Sequence, residues 1–285
     1  MRQTAYYNGE ARGIFDTHAH LYDSRFDQEG MRIGDILLRA AECGIERILI
    51  PSDSIETSGK AIDLVREYDG ISGVELFCSV GVHPHEAKDW DDNAEKKIRE
   101  WLSSRKELKI AALGEIGLDY HYDYSPRDIQ REVYEKQLML AYEYDIPIIL
   151  HEREAAGDST DILRKFCKEG RLRSNPGVCH CCSASREIGE ELVKMGFYIG
   201  FDGPVTFRNN KKTIELCEAT PLERIVIETD SPYLTPEPNR GIINEPAHVA
   251  YVAEKIAEIK GVSVQELAEI TAGNGMRLYE LGEAK

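Results

Sequence analysis

Positive charge is what this chain is short of. Lysine and arginine total 35 against 51 aspartates and glutamates, a formal net charge of −16 with histidine neutral. An acidic chain has no overall attraction for nucleic acid or an anionic membrane, which argues against a general nucleic-acid coat or scaffold. It leaves room for an enzyme whose bound divalent metals and local arginines invert the charge inside a cleft. Long apolar runs are also missing. No segment is long enough to span a bilayer, and no basic-apolar signal segment opens the chain. The seven cysteines, at 43, 78, 167, 179, 181, 182 and 217, are odd in number and irregularly spaced, so they suggest no disulfide framework. A reducing cytoplasm is the expected home. Cys179, Cys181 and Cys182 crowd around His180, but no second pair follows at zinc-knuckle spacing. They read as small buried residues near a strand end. No G-x-G-x-x-G follows the first apolar run, which removes the best functional signature of a doubly wound sheet.

What is present is a repeat of apolar, β-branched run, loop and helix-like segment. Strand-like runs fall at 14–18, 46–51, 76–82, 109–114, 146–150, 177–180, 196–201 and 224–228. Helical spacing groups Ile33, Ile36, Leu37 and Ala40 on one face, then Val133, Gln137, Leu140 and Ala141. Ile162, Leu163 and Phe166 mark a third helix, and Ile188, Leu192 and Val193 a fourth. Eight buried strands alternating with helices predict an α/β fold, a (β/α)8 TIM barrel. Extra C-terminal helices are expected over 246–280, where Val249, Val252, Ala253 and Ile256 form one stripe. Residues 1–12 read as a short polar leader against the domain. No linker or charge block divides the chain, so one domain is expected over residues 1–285.

In such a barrel, chemistry sits at the C-terminal ends of the strands. His18 and His20 share a strand face, roughly 6–7 Å apart at Cα, which suits two imidazoles converging on one ion. An isolated H-x-H would mean little. Here strand 3 runs into His83-Pro84-His85, strand 4 into Glu115 and Asp119, and strand 5 into His151-Glu152-Arg153. Strand 6 ends in His180 and strand 8 in Glu228-Thr229-Asp230. Six of the eight histidines fall in this set, leaving His121 and His248 outside it. Four imidazoles (His18, His20, His151, His180) and two carboxylates (Glu115, Asp230) are too many for one tetrahedral ion with an open position. They suit two divalent ions bridged by Glu115, which comes from the middle of the strand order. Two ions roughly 3.5–4 Å apart can generate hydroxide and stabilise attacking and leaving oxygens. Mixed nitrogen and oxygen donors fit Zn, Mn, Co, Ni or Mg without choosing among them. His83, His85 and Arg153 share the rim, where Arg153 can hold an anionic oxygen bidentately. The competing readings are a rigid turn for the two histidines and a surface ion pair for the arginine.

The motifs 15–21 (FDTHAHL), 81–85 (GVHPH), 114–120 (GEIGLDY), 151–153 (HER), 228–232 (ETDSP) and 244–246 (NEP) occur in order along nearly the whole chain. Together they resemble the TatD family of metal-dependent hydrolases, amidohydrolase-like TIM barrels. The resemblance implies a two-metal phosphodiesterase, a Mg- or Mn-dependent deoxyribonuclease with 3′ to 5′ exonuclease character. Carried over by position, His18, His20 and Asp230 would bind one metal, His151 and His180 the other, and Glu115 would bridge. Asp230 would also orient or deprotonate the attacking water, and His83, His85 and Arg153 would lie near the phosphate. This chain departs from the family at Cys181-Cys182-Ser183-Ala184, where an aromatic and a glycine-containing turn are common, and at Glu152 after His151.

The leading expectation is therefore metal-dependent hydrolysis of single-stranded or frayed DNA ends. The acidic balance favours short or end-on substrates, since no long basic track is visible. One alternative is an ester or amide hydrolase, for example one that removes an aminoacyl group from RNA. Another is a non-catalytic metal-binding partner protein, which the intact ligand set disfavours. No obligate protein partner is evident.

Overall fold

The apolar runs become the staves of one parallel sheet. In the computed structural model, which describes residues 4–282, the strands are β1 (Ile14–Asp16), β2 (Ile45–Ile50), β3 (Glu75–Val80), β4 (Ile110–Asp119), β5 (Ile148–Arg153), β6 (Gly177–Cys179), β7 (Tyr198–Phe201) and β8 (Ile225–Ile227). They hydrogen-bond in chain order and all pairs are parallel. The ring closes where the segments beyond β8 and β1 meet. Thr17 N–H donates to the Ile227 carbonyl (3.1 Å), Asp230 N–H to His18 (2.9 Å) and His20 N–H to Ser231 (2.8 Å). The result is a (β/α)8 barrel.

The helices are α1 (Ser24–Gln28), α2 (Ile33–Glu42), α3 (Ile55–Tyr68), α4 (Asp92–Ser103), α5 (Arg127–Glu143), α6 (Ala156–Lys168), α7 (Arg186–Lys194), α8 (Lys211–Ala219), α9 (Val249–Lys260) and α10 (Val264–Leu278). Side-chain caps start several of them. Ser54 and Thr57 form a reciprocal capping box on α3, and Asp91, Ser185 and Ser263 cap α4, α7 and α10. Among the described residues no helix is long and apolar enough to cross a membrane. Met1–Gln3 of the expected leader lie outside the described residues. Ala5 and Tyr6 are tied down by Asn239 and Glu245.

Strand alternation splits the apolar side chains into two sets. One packs between sheet and helices. The other fills the barrel, with Phe15, Leu49, Phe77, Ile149, Val178, Tyr198 and Val226 each coming from a different strand. Leu278 and Tyr279, at the end of α10, join this interior set and cover its N-terminal end. The opposite end is left to polar residues.

Three of the differences from the expected strand boundaries bear on the polar end. β1 stops at Asp16, so His18 and His20 follow the strand and are held by the bridge between Ala19 and Ser231. β4 continues to Asp119 and β5 to Arg153, because the two strands pair along their full length up to Asp119 opposite Arg153. Apolar content marks only the first halves of β4 and β5; the second halves carry candidate site residues.

Candidate metal centre

Two buried anchors set the polar end of the barrel. The first lies at the β1–β8 seam. Asp16 is fully buried and accepts from the Thr229 N–H (3.0 Å), the Thr229 hydroxyl (2.7 Å) and the His18 N–H (3.2 Å). That tie brings His18 and His20 beside Asp230. Asn244 reinforces it by donating to the carbonyls of Thr229 (2.9 Å) and Tyr233 (2.6 Å).

The second anchor is α5, which presents two buried glutamines. Gln137 accepts from Val82 N–H (2.9 Å) and donates to its carbonyl (2.8 Å), fixing the segment that carries His83. Gln130 accepts from Asp119 N–H (2.9 Å) and donates to the carbonyls of Asp119 (3.0 Å) and Ser125 (2.9 Å), fixing the end of β4. Between them the β4–β5 register shifts at Gly114/Ile116, leaving Glu115 as the extra residue of a bulge. A bulge re-aims a side chain, and here it turns Glu115 inward. Glu115, Gly117 and Asp119 then share one face. Gly117 has φ +142°, and a Cβ there would sit 2.0 Å from the His151 carbonyl oxygen. Only glycine lets the two strands meet at that point.

The six expected ligands converge. On one side of Glu115, Oε2 lies 3.5 Å from both His18 Nε2 and His20 Nε2. Asp230 Oδ1 lies 3.6 Å and 3.3 Å from the same nitrogens. On the other side, Oε1 lies 2.9 Å from His180 Nε2 and 3.5 Å from His151 Nδ1. Each carboxylate oxygen thus faces its own pair of imidazoles. The two Nε2 atoms of His18 and His20 approach to 3.2 Å, and His151 Nδ1 lies 3.0 Å from His180 Nε2. Imidazole nitrogens this close cannot all carry protons, and a cation between them satisfies both rings. His18, Glu115 and His180, and likewise His18, His20 and Asp230, offer donor atoms close enough to hold an ion, as do His83, Glu115 and His151.

The electrostatics agree. Burial opposes ionisation of Glu115, but the neighbouring His180 and His18 charges and hydrogen bonds from His151 and His18 hold it well below the usual carboxylate range. Burial likewise opposes Asp230, and the His20 contact pulls it down. Burial and the proximity of His180 press His18 down to about 4. His20 and His151 also suffer burial, yet Asp230 and Glu115 raise the first to about 9, and Asp119 and Glu115 raise the second to about 9. The pocket therefore draws positive charge to its carboxylates. The nitrogen and oxygen donors of the two sets fit divalent zinc, manganese or magnesium.

Other expected residues stand around this centre. His83 is buried and accepts from His85 N–H through Nδ1 (3.1 Å), with its ring 4.2 Å from that of His151. His85 Nε2 lies 2.8 Å from Asp119 Oδ2. Arg153 is exposed at the rim, 4.8 Å over the Tyr122 ring, and pairs with no carboxylate among the described residues. Glu152 turns to accept from Ala155 N–H, and Glu154 pairs with His121. His248 is buried away from the centre, against Asn244. Cys179 and Cys182 are buried as expected, whereas Cys181 is half-buried and lines a pocket of about 290 Å³ with His151, His180, Asp202 and Asp230.

Several residues that contact the candidate ligands have no role in the sequence reading. Asp119 contacts both His85 and His151 (Nε2, 3.4 Å), and the alternation from Glu115 through Gly117 was the signal that could have found it. Tyr22 lies 2.8 Å from His20 Nδ1, and Asp16 is tied to Thr229, 213 residues away. Such contacts leave no local pattern.

The sequence model for TatD-related DNases matches residues 15–280. A Bacillus subtilis protein named as the uncharacterized metal-dependent hydrolase YabD is 42% identical over 268 residues, covering 94% of this chain and 99% of its own. The Salmonella typhimurium protein named 3′-5′ ssDNA/RNA exonuclease TatD is 32% identical, covering 94% and 99%. The crystal structure of the TatD homologue YJJV from Escherichia coli superposes with a TM-score of 0.84 at 27% identity, covering 95% of this chain and 99% of that one.

Proposed function

The chain belongs to the TatD family of metal-dependent hydrolases, and on that premise we propose that it is a phosphodiesterase that trims single-stranded nucleic acid from the 3′ end. The observation that carries this reading is Glu115, whose two oxygens each face a separate pair of imidazoles. We assign His18, His20 and Asp230 to one divalent ion, His151 and His180 to a second, and Glu115 to both. Magnesium or manganese are the ions expected in use, with zinc, cobalt or nickel able to occupy the same donors. When bound, the ions supply an activated water and electrostatic stabilisation of the leaving oxygen.

The chain's own residues do the rest. We assign Asp230 to orient the attacking water or accept its proton. His83, His85 and Arg153 face the phosphate, and an unpaired guanidinium at the rim can take two of its oxygens. Asp119 holds His151 and His85, and Tyr22 holds His20, so these rings keep their orientation. A pocket of about 290 Å³ beside His180 and Asp230 suits one terminal nucleotide better than a long duplex. The name of the Salmonella relative supports the single-stranded, 3′-directed substrate, and the net charge of −16 supports end-on rather than tracking contact. We read the chain as one barrel domain, and its seven unpaired cysteines fit a reducing cytoplasm.

The test is hydrolysis of a short 3′-labelled single strand by metal-stripped protein, with Mg or Mn added back and His151→Ala and Glu115→Gln run alongside. Metal-dependent release of mononucleotides, lost in both variants, is expected. Two bound metals without cleavage would transfer the reading to ester or amide substrates. Metal content and hydrolysis that both survive Glu115→Gln would sink the bridging assignment.

A further inference from the structure

Beside the centre, two tyrosines stand open to solvent. Tyr122 and Tyr124, in the segment after β4, are 45% and 57% exposed. Their rings stack, with centroids 5.2 Å apart and 14° between planes. His85 packs edge-on against both, at 5.5 Å and 4.8 Å. His85 in turn reaches Asp119, and Asp119 reaches His151, so a single side chain and its carboxylate partner separate the tyrosines from the centre. The position is therefore fixed relative to the reacting end of the barrel.

The charges around the tyrosines are unevenly matched. Asp123 is paired with Arg127 at 2.7 Å, and Glu154 with His121 at 2.7 Å. Arg153 lies 4.8 Å from the Tyr122 centroid and has no carboxylate partner among the described residues. In a chain of net charge −16, an arginine without a carboxylate is ready for an anion. Half-exposed aromatic rings next to a guanidinium without a carboxylate complement a nucleobase attached to a phosphate. A duplex hides its base faces in the stack, whereas a single strand presents them.

We propose that Tyr122 and Tyr124 form a base-stacking platform that holds single-stranded nucleic acid beside the metal centre, with Arg153 gripping a phosphate of the same strand. This deepens the nuclease reading and rests on it. Stacking is tolerant of base identity, because every base has a π face. The platform therefore selects for unpaired strands and not for sequence, and Tyr122 and Tyr124 are positioning residues.

The experiment is equilibrium binding, by fluorescence anisotropy, of the full-length protein to a short labelled strand with phosphorothioate linkages. The same strand with abasic sites at its 3′ end is measured in parallel. Wild type is expected to favour the base-bearing strand about tenfold. Tyr122→Ala and Tyr124→Ala should erase most of that preference, while Tyr122→Phe and Tyr124→Phe, which keep the ring, should preserve it. A structural role alone would weaken both strands equally. Alanine variants that keep the wild-type preference, or a wild type with none, would overturn the platform. Cleavage of the unmodified strand is assayed on the same preparations: cleavage without base preference leaves the nuclease reading standing, and base preference without cleavage overturns that reading and leaves the platform.

Discussion

Asp16 and Thr229 are joined twice, through the threonine hydroxyl at 2.7 Å and its backbone N–H at 3.0 Å. The pair closes the barrel at its polar end. His18 follows one partner by two residues and Asp230 follows the other by one, so the contact fixes the distance between them.

Replacing Asp16 with alanine should therefore be costly. It leaves the Thr229 hydroxyl, the Thr229 N–H and the His18 N–H without their acceptor in a fully buried place. The expected loss is about 3 kcal/mol in urea unfolding of metal-stripped protein. A loss under about 1 kcal/mol would mean that water or a neighbour replaces the carboxylate.

Asp119→Asn keeps the size and removes the charge that faces His85 and His151. Groups that orient ligand rings typically contribute roughly 10–100-fold to metal affinity. Chelator competition on the variant should show a loss in that range with the fold intact by circular dichroism. Wild-type affinity would remove Asp119 from the centre.

Gly275→Ala tests the covered end of the barrel. A helical glycine ordinarily gains about 1 kcal/mol on becoming alanine. Here the new Cβ would lie 2.6 Å from Phe15 Cδ1, and Phe15 is itself wedged by Phe77 and Tyr279. Overpacking costs about 1–3 kcal/mol, so the variant should be the less stable protein. A rise in the denaturation midpoint would show that the interior yields more easily than its packing implies.

His248 links stability to pH. Burial holds it down to about 4 against an ordinary value of 6.5, so it is neutral in the folded protein at pH values where the unfolded chain protonates it. Between these values the unfolded state binds more protons, and stability falls as pH drops from 6.5 to 4. The shift corresponds to on the order of 3 kcal/mol. His248→Gln, measured metal-free beside metal-free wild type, should lose that part of the slope. Parallel pH curves for the two proteins would place the titration elsewhere.

Much of the centre was legible because its residues sit at repeated structural positions. His18, His151, His180 and Asp230 each follow an apolar run, and the barrel rule sends such residues to one face. Asp119 lies in the same motif as Glu115, yet its contacts are hidden in the sequence, because they depend on β4 continuing past 114 to pair with β5 as far as Arg153. For Arg153 the sequence allows an ion pair or an anion contact, and only the fold shows Asp123 and Glu154 matched elsewhere and Glu152 turned to Ala155 N–H.

The eight strands, their order and the donor side chains at their ends are legible in the sequence, because hydrophobic period and donor chemistry are local properties. Tertiary structure alone decided which oxygen of Glu115 meets which imidazole. It also decided that two glutamines of α5 clamp the strand ends and that Tyr122 and Tyr124 stand together at the mouth. The Glu115 geometry and the glutamine clamps depend on a register shift, a glycine contact and pairings across as many as 55 residues, which no short window along the chain contains.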